Sequence, residues 1–145
     1  AATQHGIPHH LDAAPEFLWV KHRTNTGNHQ AYSAALGNTK VFNINSETAP
    51  WVSSTRWDNT TPTATEVKLG TDWEVNINND NYVMYAFTSV ADKCKVGAYT
   101  GNAGANSINV GFEAQWILIR RTDAIGGCII YDNARNNFGD RLYAN

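Results

Sequence analysis

Apolar and aromatic side chains along this chain gather in short runs, separated by clusters of Asn, Asp, Gly, Ser, Thr and Pro. No window of roughly eleven residues or more carries the i, i+3, i+4 apolar spacing of an amphipathic helix between caps. Strands are predicted instead at Glu16 to Arg23, Lys40 to Ile44, Thr65 to Leu69, Trp73 to Ile77, Tyr82 to Val90, Lys93 to Tyr99 and Ala114 to Arg121. Each is rich in β-branched or aromatic residues, the types that suit a pleated, half-buried surface. Asn78-Asn79-Asp80-Asn81 reads as a hairpin loop, because Asn and Asp tolerate positive φ and bond their own backbone. Gly126-Gly127 plays the same part between Ile119 and Cys128. Many short strands joined by polar turns predict one all-β domain over residues 1–145, an antiparallel β-sandwich of jelly-roll-like character.

An internal repeat refines this picture. Shifting Leu11-Asp12 by 99 positions onto Val110-Gly111 carries Phe17-Leu18-Trp19-Val20-Lys21-His22 onto Trp116-Ile117-Leu118-Ile119-Arg120-Arg121. Gly27 then falls on Gly126, Tyr32 on Tyr131 and Ala35 on Ala134. A slip of one residue brings Phe42 and Asn45 onto Leu142 and Asn145. The order kept is an apolar strand, two basic positions, a turn glycine and a strand ending in tyrosine. Two pseudo-equivalent hairpin units, 11–45 and 110–145, are therefore expected to share one core, with Tyr32 and Tyr131 in equivalent positions. Neither hairpin buries its own face alone.

Composition narrows the function classes. Charged residues are 17 % of 145 and the net charge is −2, without a basic cluster, so nothing favours nucleic acid, whose phosphates demand grouped Lys and Arg. Lys21-His22-Arg23 and Arg120-Arg121 sit within strand-like runs and read as solvated strand faces. No apolar run approaches the ~20 residues of a spanning helix, and no membrane insertion is expected. The chain opens Ala1-Ala2-Thr3, which fits either loss of an initiator Met or excision from a longer polypeptide. Cys94 and Cys128 lie beside apolar strand residues, and free thiols are expected.

Side chains with chemical potential do not group into a known constellation. His5, His9, His10, His22 and His29 raise the question of a metal, yet neighbours on an extended strand point to opposite faces, so surface or turn roles are favoured and no metal or cofactor is expected. The Asn78 to Asn81 run lacks the glycine and closing glutamate of a helix-loop-helix calcium site. Asp72 with Glu74 and Asp12 with Glu16 are the carboxylate pairs that a polysaccharide hydrolase would need, but nothing marks a nucleophile and base, and no catalytic residue is assigned. Trp19, Trp73 and Trp116 are read as strand residues that pack. Trp51 and Trp57, in the polar stretch from Asn45 to Thr63, are the candidates for stacking on a sugar or a partner, with Asn59 beside them. The role favoured over this for both is to pin their loop to the sandwich. Asn59-Thr60-Thr61 is also a formal glycosylation acceptor.

The same residues resemble a known family. Gly6-Ile7-Pro8-His9-His10-Leu11-Asp12-Ala13-Ala14-Pro15-Glu16-Phe17 is similar to the opening of a repeat domain in tail-fibre and other structural proteins of bacteriophages from aquatic bacteria. Val20-Lys21-His22-Arg23 with Thr26-Gly27, and Ser54-Thr55-Arg56-Trp57-Asp58-Asn59-Thr60-Thr61-Pro62-Thr63, continue the likeness. So do Tyr85-Ala86-Phe87, the run Gly97 to Asn102, Gly111-Phe112, Trp116 to Asp123 and Ile130 to Asn136. Asp12 stands in place of a turn glycine, Glu113-Ala114 in place of an Arg-Pro pair and Cys128 in place of an aromatic. The resemblance implies a non-enzymatic protein of the virion surface, made in the host cytoplasm, in a capsid-decorating or tail-fibre position. Its implied partners are other virion proteins and further copies of itself, a trimer by analogy. Host surface glycan is the implied ligand of an adhesin reading.

Overall fold

The structure, a computed structural model, describes residues 3–144. Ten strands account for its regular structure: β1 (His5–Pro8), β2 (Phe17–His22), β3 (His29–Ser33), β4 (Lys40–Asn43), β5 (Trp51–Val52), β6 (Glu66–Leu69), β7 (Tyr82–Phe87), β8 (Trp116–Arg120), β9 (Cys128–Asp132) and β10 (Leu142–Tyr143), with one 3-10 turn at Asn136–Phe138. All pairings are antiparallel. They build a five-stranded sheet in the order β5-β4-β3-β2-β7, a three-stranded sheet β10-β9-β8 and a two-stranded sheet β1-β6.

Alternation along the strands decides what each face of the five-stranded sheet meets. On β2, Leu18, Val20 and His22 are buried while Phe17, Trp19 and Lys21 are half-buried. Leu18 and Val20 lie opposite Tyr32 and Gln30 on β3, and Ala86 and Met84 on β7, which puts these residues on one face. That face forms the main core with Val41, Trp57, Val67, Leu69 and Val75, and Ile7 of β1 packs on it, so the two-stranded sheet is its lid. The opposite face carries Phe17, Trp19, Ala31 and Phe42. A smaller core joins Ala31, Phe42 and Ile44 to Cys128 and Ala144, and this is where the three-stranded sheet seats. The result is an antiparallel β-sandwich with the five-stranded sheet between its two smaller partners.

The two long hairpins have the same register. β2 and β3 pair as Phe17↔Ser33, Leu18↔Tyr32, Trp19↔Ala31, Val20↔Gln30 and Lys21↔His29. β8 and β9 pair as Trp116↔Asp132, Ile117↔Tyr131, Leu118↔Ile130, Ile119↔Ile129 and Arg120↔Cys128, each the first ladder moved by the same 99 positions. The third strands follow: Ala31↔Phe42 and Gln30↔Asn43 correspond to Ile130↔Leu142 and Ile129↔Tyr143, with the one-residue slip. Bonds beyond the ladders also match. Ala34 donates to the Glu16 carbonyl as Asn133 does to that of Gln115, and Ile44 to His29 as Ala144 does to Cys128. The alignment of Asn45 with Asn145 falls outside the described residues.

Two predicted strands are absent. Trp73 to Ile77 is a turn, because Asp72 offers its neighbours a local alternative: its side chain accepts from the Glu74 amide at 2.9 Å and its carbonyl from Val75 and Asn76. With that strand gone, Asn78 to Asn81 is no hairpin loop, although Asn79 does take positive φ. Lys93 to Tyr99 is irregular beyond one bridge, since Val90 and Cys94 close on each other around Asp92 at φ 61°. Trp73 lies on that turn rather than a strand and is 44 % exposed, so it is not a core residue. Asp12, at a position where the resembled family has glycine, adopts φ 58° itself, a conformation Asp tolerates.

Gly70 shows how tightly the lid is tied down. A Cβ there would stand 2.3 Å from the Thr55 carbonyl oxygen, while the Gly70 amide donates to Arg56 at 2.9 Å. Gly70→Ala is expected to destabilise the fold by about 1–3 kcal/mol, the usual cost of overpacking, as a drop in thermal midpoint. Gly37→Ala, where a Cβ meets nothing but φ is 79°, should cost less.

Candidate functional site

Four of the buried polar side chains gather in one cluster, and there they hold structure. Arg56, Glu74, Gln30 and Asn43 are all buried. The Arg56 guanidinium donates from Nη2 to Glu74 Oε2 at 2.6 Å and from Nε to Gln30 Oε1 at 3.0 Å, and also pairs with Asp72. Gln30 Nε2 donates to Asn43 Oδ1 at 2.8 Å and to Glu74 Oε2 at 2.9 Å. Glu74 Oε1 accepts from the Asn28 amide at 2.7 Å. Burial pulls the Arg56 pKa down and the charge of Glu74 pushes it back up. Asp72 and Glu74, predicted on one strand face as a carboxylate pair, are therefore engaged with a common arginine. Asp12 is exposed, and Glu16 accepts from the Ser89 amide.

The structure does not bring the candidate ligand-binding residues Trp51, Trp57 and Asn59 onto one open face. Trp57 is 1 % exposed, packs edge-on to Tyr32 at 6.0 Å and donates from Nε1 to the Lys40 carbonyl at 3.1 Å, so its ring is core and offers no face to a ligand. Trp51 is half-buried against the same core. Asn59 is exposed in a left-handed turn with Asp58. The polar stretch that carries them is tied to the sandwich by its own indoles.

The histidines are dispersed. His5 and His10 are exposed, and His9 accepts from the Leu11 amide and bonds the Thr63 carbonyl. His22 is buried, 2.9 Å from Asp80 and stacked on Tyr82 at 4.5 Å. His29 Nδ1 accepts from the Trp19 indole at 3.0 Å, and burial, then Lys21, lowers its pKa. Among the described residues no three His, Cys, Asp or Glu side chains gather as an ion site. Both thiols are free, and burial raises the pKa of each.

What the molecule does offer is apolar surface. The second face of the five-stranded sheet carries a row of rings: Trp19 lies 5.8 Å from Tyr85, and Phe17 5.9 Å from Phe87 and 6.5 Å from Phe42. Tyr85 is 51 % exposed and Phe87 is also open to solvent. Trp19, read from sequence as a packing residue, does pack on the smaller core, and it also borders this open aromatic surface. Its alternation with Leu18 and Val20 was the only signal that it faces the other way. Between β1 and β7 an apolar groove of about 460 Å³ is walled by Ile7, Leu11, Leu69, Tyr82 and Met84. A third apolar region is the three-stranded sheet, where Trp116, Leu142 and Tyr143 are exposed. Trp116, also expected to pack, is 52 % exposed.

These features define a small antiparallel β-sandwich whose clustered buried polar groups are paired with one another and which exposes aromatic and aliphatic patches. The chain belongs to a family described as a domain of unknown function, DUF7483, which matches residues 1–144. No curated protein and no solved structure matches it.

Glu74→Ala is expected to cost about 3–5 kcal/mol in denaturant unfolding, because it strips a buried guanidinium of one of its two carboxylates. Adding Arg56→Met should recover part of that loss. Simple additivity of the two changes would show that the pair is not coupled.

Proposed function

We propose that this protein is a non-enzymatic structural module of a tailed bacteriophage particle, exposed on the capsid or in a tail or fibre, and acting through protein–protein contacts. The observation that carries the reading is the division of labour just described. The Arg56–Asp72–Glu74 cluster is locked into the fold, while unmet interactions are of the kind protein partners satisfy: exposed rings, half-covered aliphatic strands and open sheet edges. Its sequence resemblance to repeat domains of phage structural proteins supplies the setting. In this reading the partners are other virion proteins and further copies of this chain. Mass spectrometry of purified particles of the encoding phage should find the protein, and antibody raised against the folded domain should label intact particles. Recovery only from the lysate supernatant would end the proposal.

A second reading, glycan recognition at the host surface, is favoured by Tyr85 beside Trp19 and Phe87 on one sheet face, since exposed rings stack on sugars. This places the stacking surface away from Trp51 and Trp57. A glycan array should then return saccharides whose binding falls about tenfold or more in Tyr85→Ala, the loss of a single good contact. Silence across the array, or binding indifferent to Tyr85, would leave the first reading alone.

A further inference from the structure

The two hairpin units share a register but not an environment. On the first, the edge of β2 turned away from β3 is filled by β7 through six pairs, Phe17↔Phe87 to His22↔Tyr82. On the second, β8 corresponds to β2, and among the described residues no strand lies along its other edge, because the sheet runs β10-β9-β8 and stops. The faces differ too. Leu18, Val20, Gln30 and Tyr32 are buried under the lid, whereas their counterparts Ile117, Ile119, Ile129 and Tyr131 are only half-buried. The second unit is built to the plan of the first, with one neighbour missing.

The missing neighbour has a definite chemistry. Across the Trp116↔Asp132 pair, Asn133 donates to the Gln115 carbonyl at 3.1 Å. Backbone groups in an antiparallel ladder alternate in direction, so Gln115, Ile117 and Ile119 turn theirs to β9, and Trp116, Leu118 and Arg120 turn theirs to the open edge. The first unit confirms the sense: Arg23 donates outward to Asn81 at 2.8 Å, in step with Phe17, Trp19 and Lys21 facing β7. The open edge thus presents three amides and three carbonyls on residues spaced two apart and centred on Leu118. It lacks the defences of a solvent edge, having no Pro, no bulge and no charge before Arg120, whose guanidinium is drawn inward to the carbonyls of Ser46 and Thr48.

We infer that β8 pairs with β8 of a second copy of this chain, antiparallel about a two-fold axis through Leu118, joining two three-stranded sheets into one of six. The strand is suited to itself. In that register Leu118 meets Leu118, Ile117 meets Ile119 and Trp116 meets Arg120, so every outward backbone group finds a partner and no like charges oppose each other. A segment of another protein needs a matching strand; a second copy brings one by symmetry. The contact is five residues a side, so the affinity belongs in roughly the micromolar range of small, exchangeable interfaces. The inference rests on the contact-forming role proposed above but names one surface, and the two can fail separately. The two-fold departs from the trimer that the family resemblance implies.

Sedimentation of the purified chain over a concentration series should show a monomer–dimer equilibrium. Amide exchange should slow with concentration at Trp116, Leu118 and Arg120, while Ile117 and Ile119 stay protected throughout by β9. Leu118→Pro removes an outward N–H at an edge, where proline is tolerated, and should weaken association more than about tenfold with the circular dichroism unchanged. Leu118→Ala keeps the N–H and should still dimerise. A monomer at concentrations up to about 1 mM, a trimer, or a dimer whose Leu118 amide exchanges freely would each overturn the inference. If Leu118→Pro fails to fold, the exchange pattern of the unaltered chain decides. A monomer found on intact particles would sink the two-fold contact and leave the structural role standing.

Discussion

At the main face of the five-stranded sheet, irregular chain is joined to the ladder through a buried positive charge and its partners. Arg56 comes from the segment after β5, Glu74 from the turn after β6, and Gln30 and Asn43 from adjacent strands of the sheet. Their bonds stitch irregular chain to regular ladder at a depth where an unpaired guanidinium costs several kcal/mol. A hydrophobic lid alone sits on a sheet in many registers, but bonds between fixed polar atoms admit few. The close approach of Gly70 to Thr55, and the Trp57 indole bond to Lys40, belong to the same clamp. That clamp ties Arg56, Trp57, Gly70 and Glu74, all from a long stretch with little regular structure of its own, to the sheet and to one another.

The second hairpin unit shows what the plan looks like without the clamp. Where the first unit has Gln30 and Asn43, the second has Ile129 and Tyr143 at the same ladder positions. No arginine needs a buried carboxamide there, and the face is correspondingly more apolar. Shared backbone register with divergent side chains is what remains when pairing geometry is kept and the neighbours change.

Strands made of short runs rich in β-branched or aromatic residues were legible in the sequence: β2, β4, β6, β7 and β8 fall inside predicted runs. So was the correspondence of the long hairpins, because a greasy strand, a basic pair and a turn glycine recur in order. Trp73 to Ile77 misled because Trp, Val and Ile carry β propensity, while Asp72 decides the outcome by folding the backbone onto itself. Trp57 as a ligand candidate fails for a different reason. Trp57 stands among Ser, Thr and Asn, and neighbours in sequence do not report that its ring inserts under Tyr32. Conversely, Tyr85 looks like an ordinary strand residue, and only pairing against Trp19 places it on the open face. Nothing in the order of residues marks Arg56 as a buried hub, since its partners Asp72, Glu74 and Gln30 come from sites 16, 18 and 26 positions away.

Cys128 occupies the joint between the five-stranded and three-stranded sheets, touching a small group of side chains at Ala31, Phe42 and Ile44. Besides that contact, the joint is held by Arg120 on the carbonyls of Ser46 and Thr48, and by the Gly126 amide on Glu47. Each sheet is internally laddered, whereas the seam between them is narrow. A pull across the molecule therefore loads this seam before either ladder.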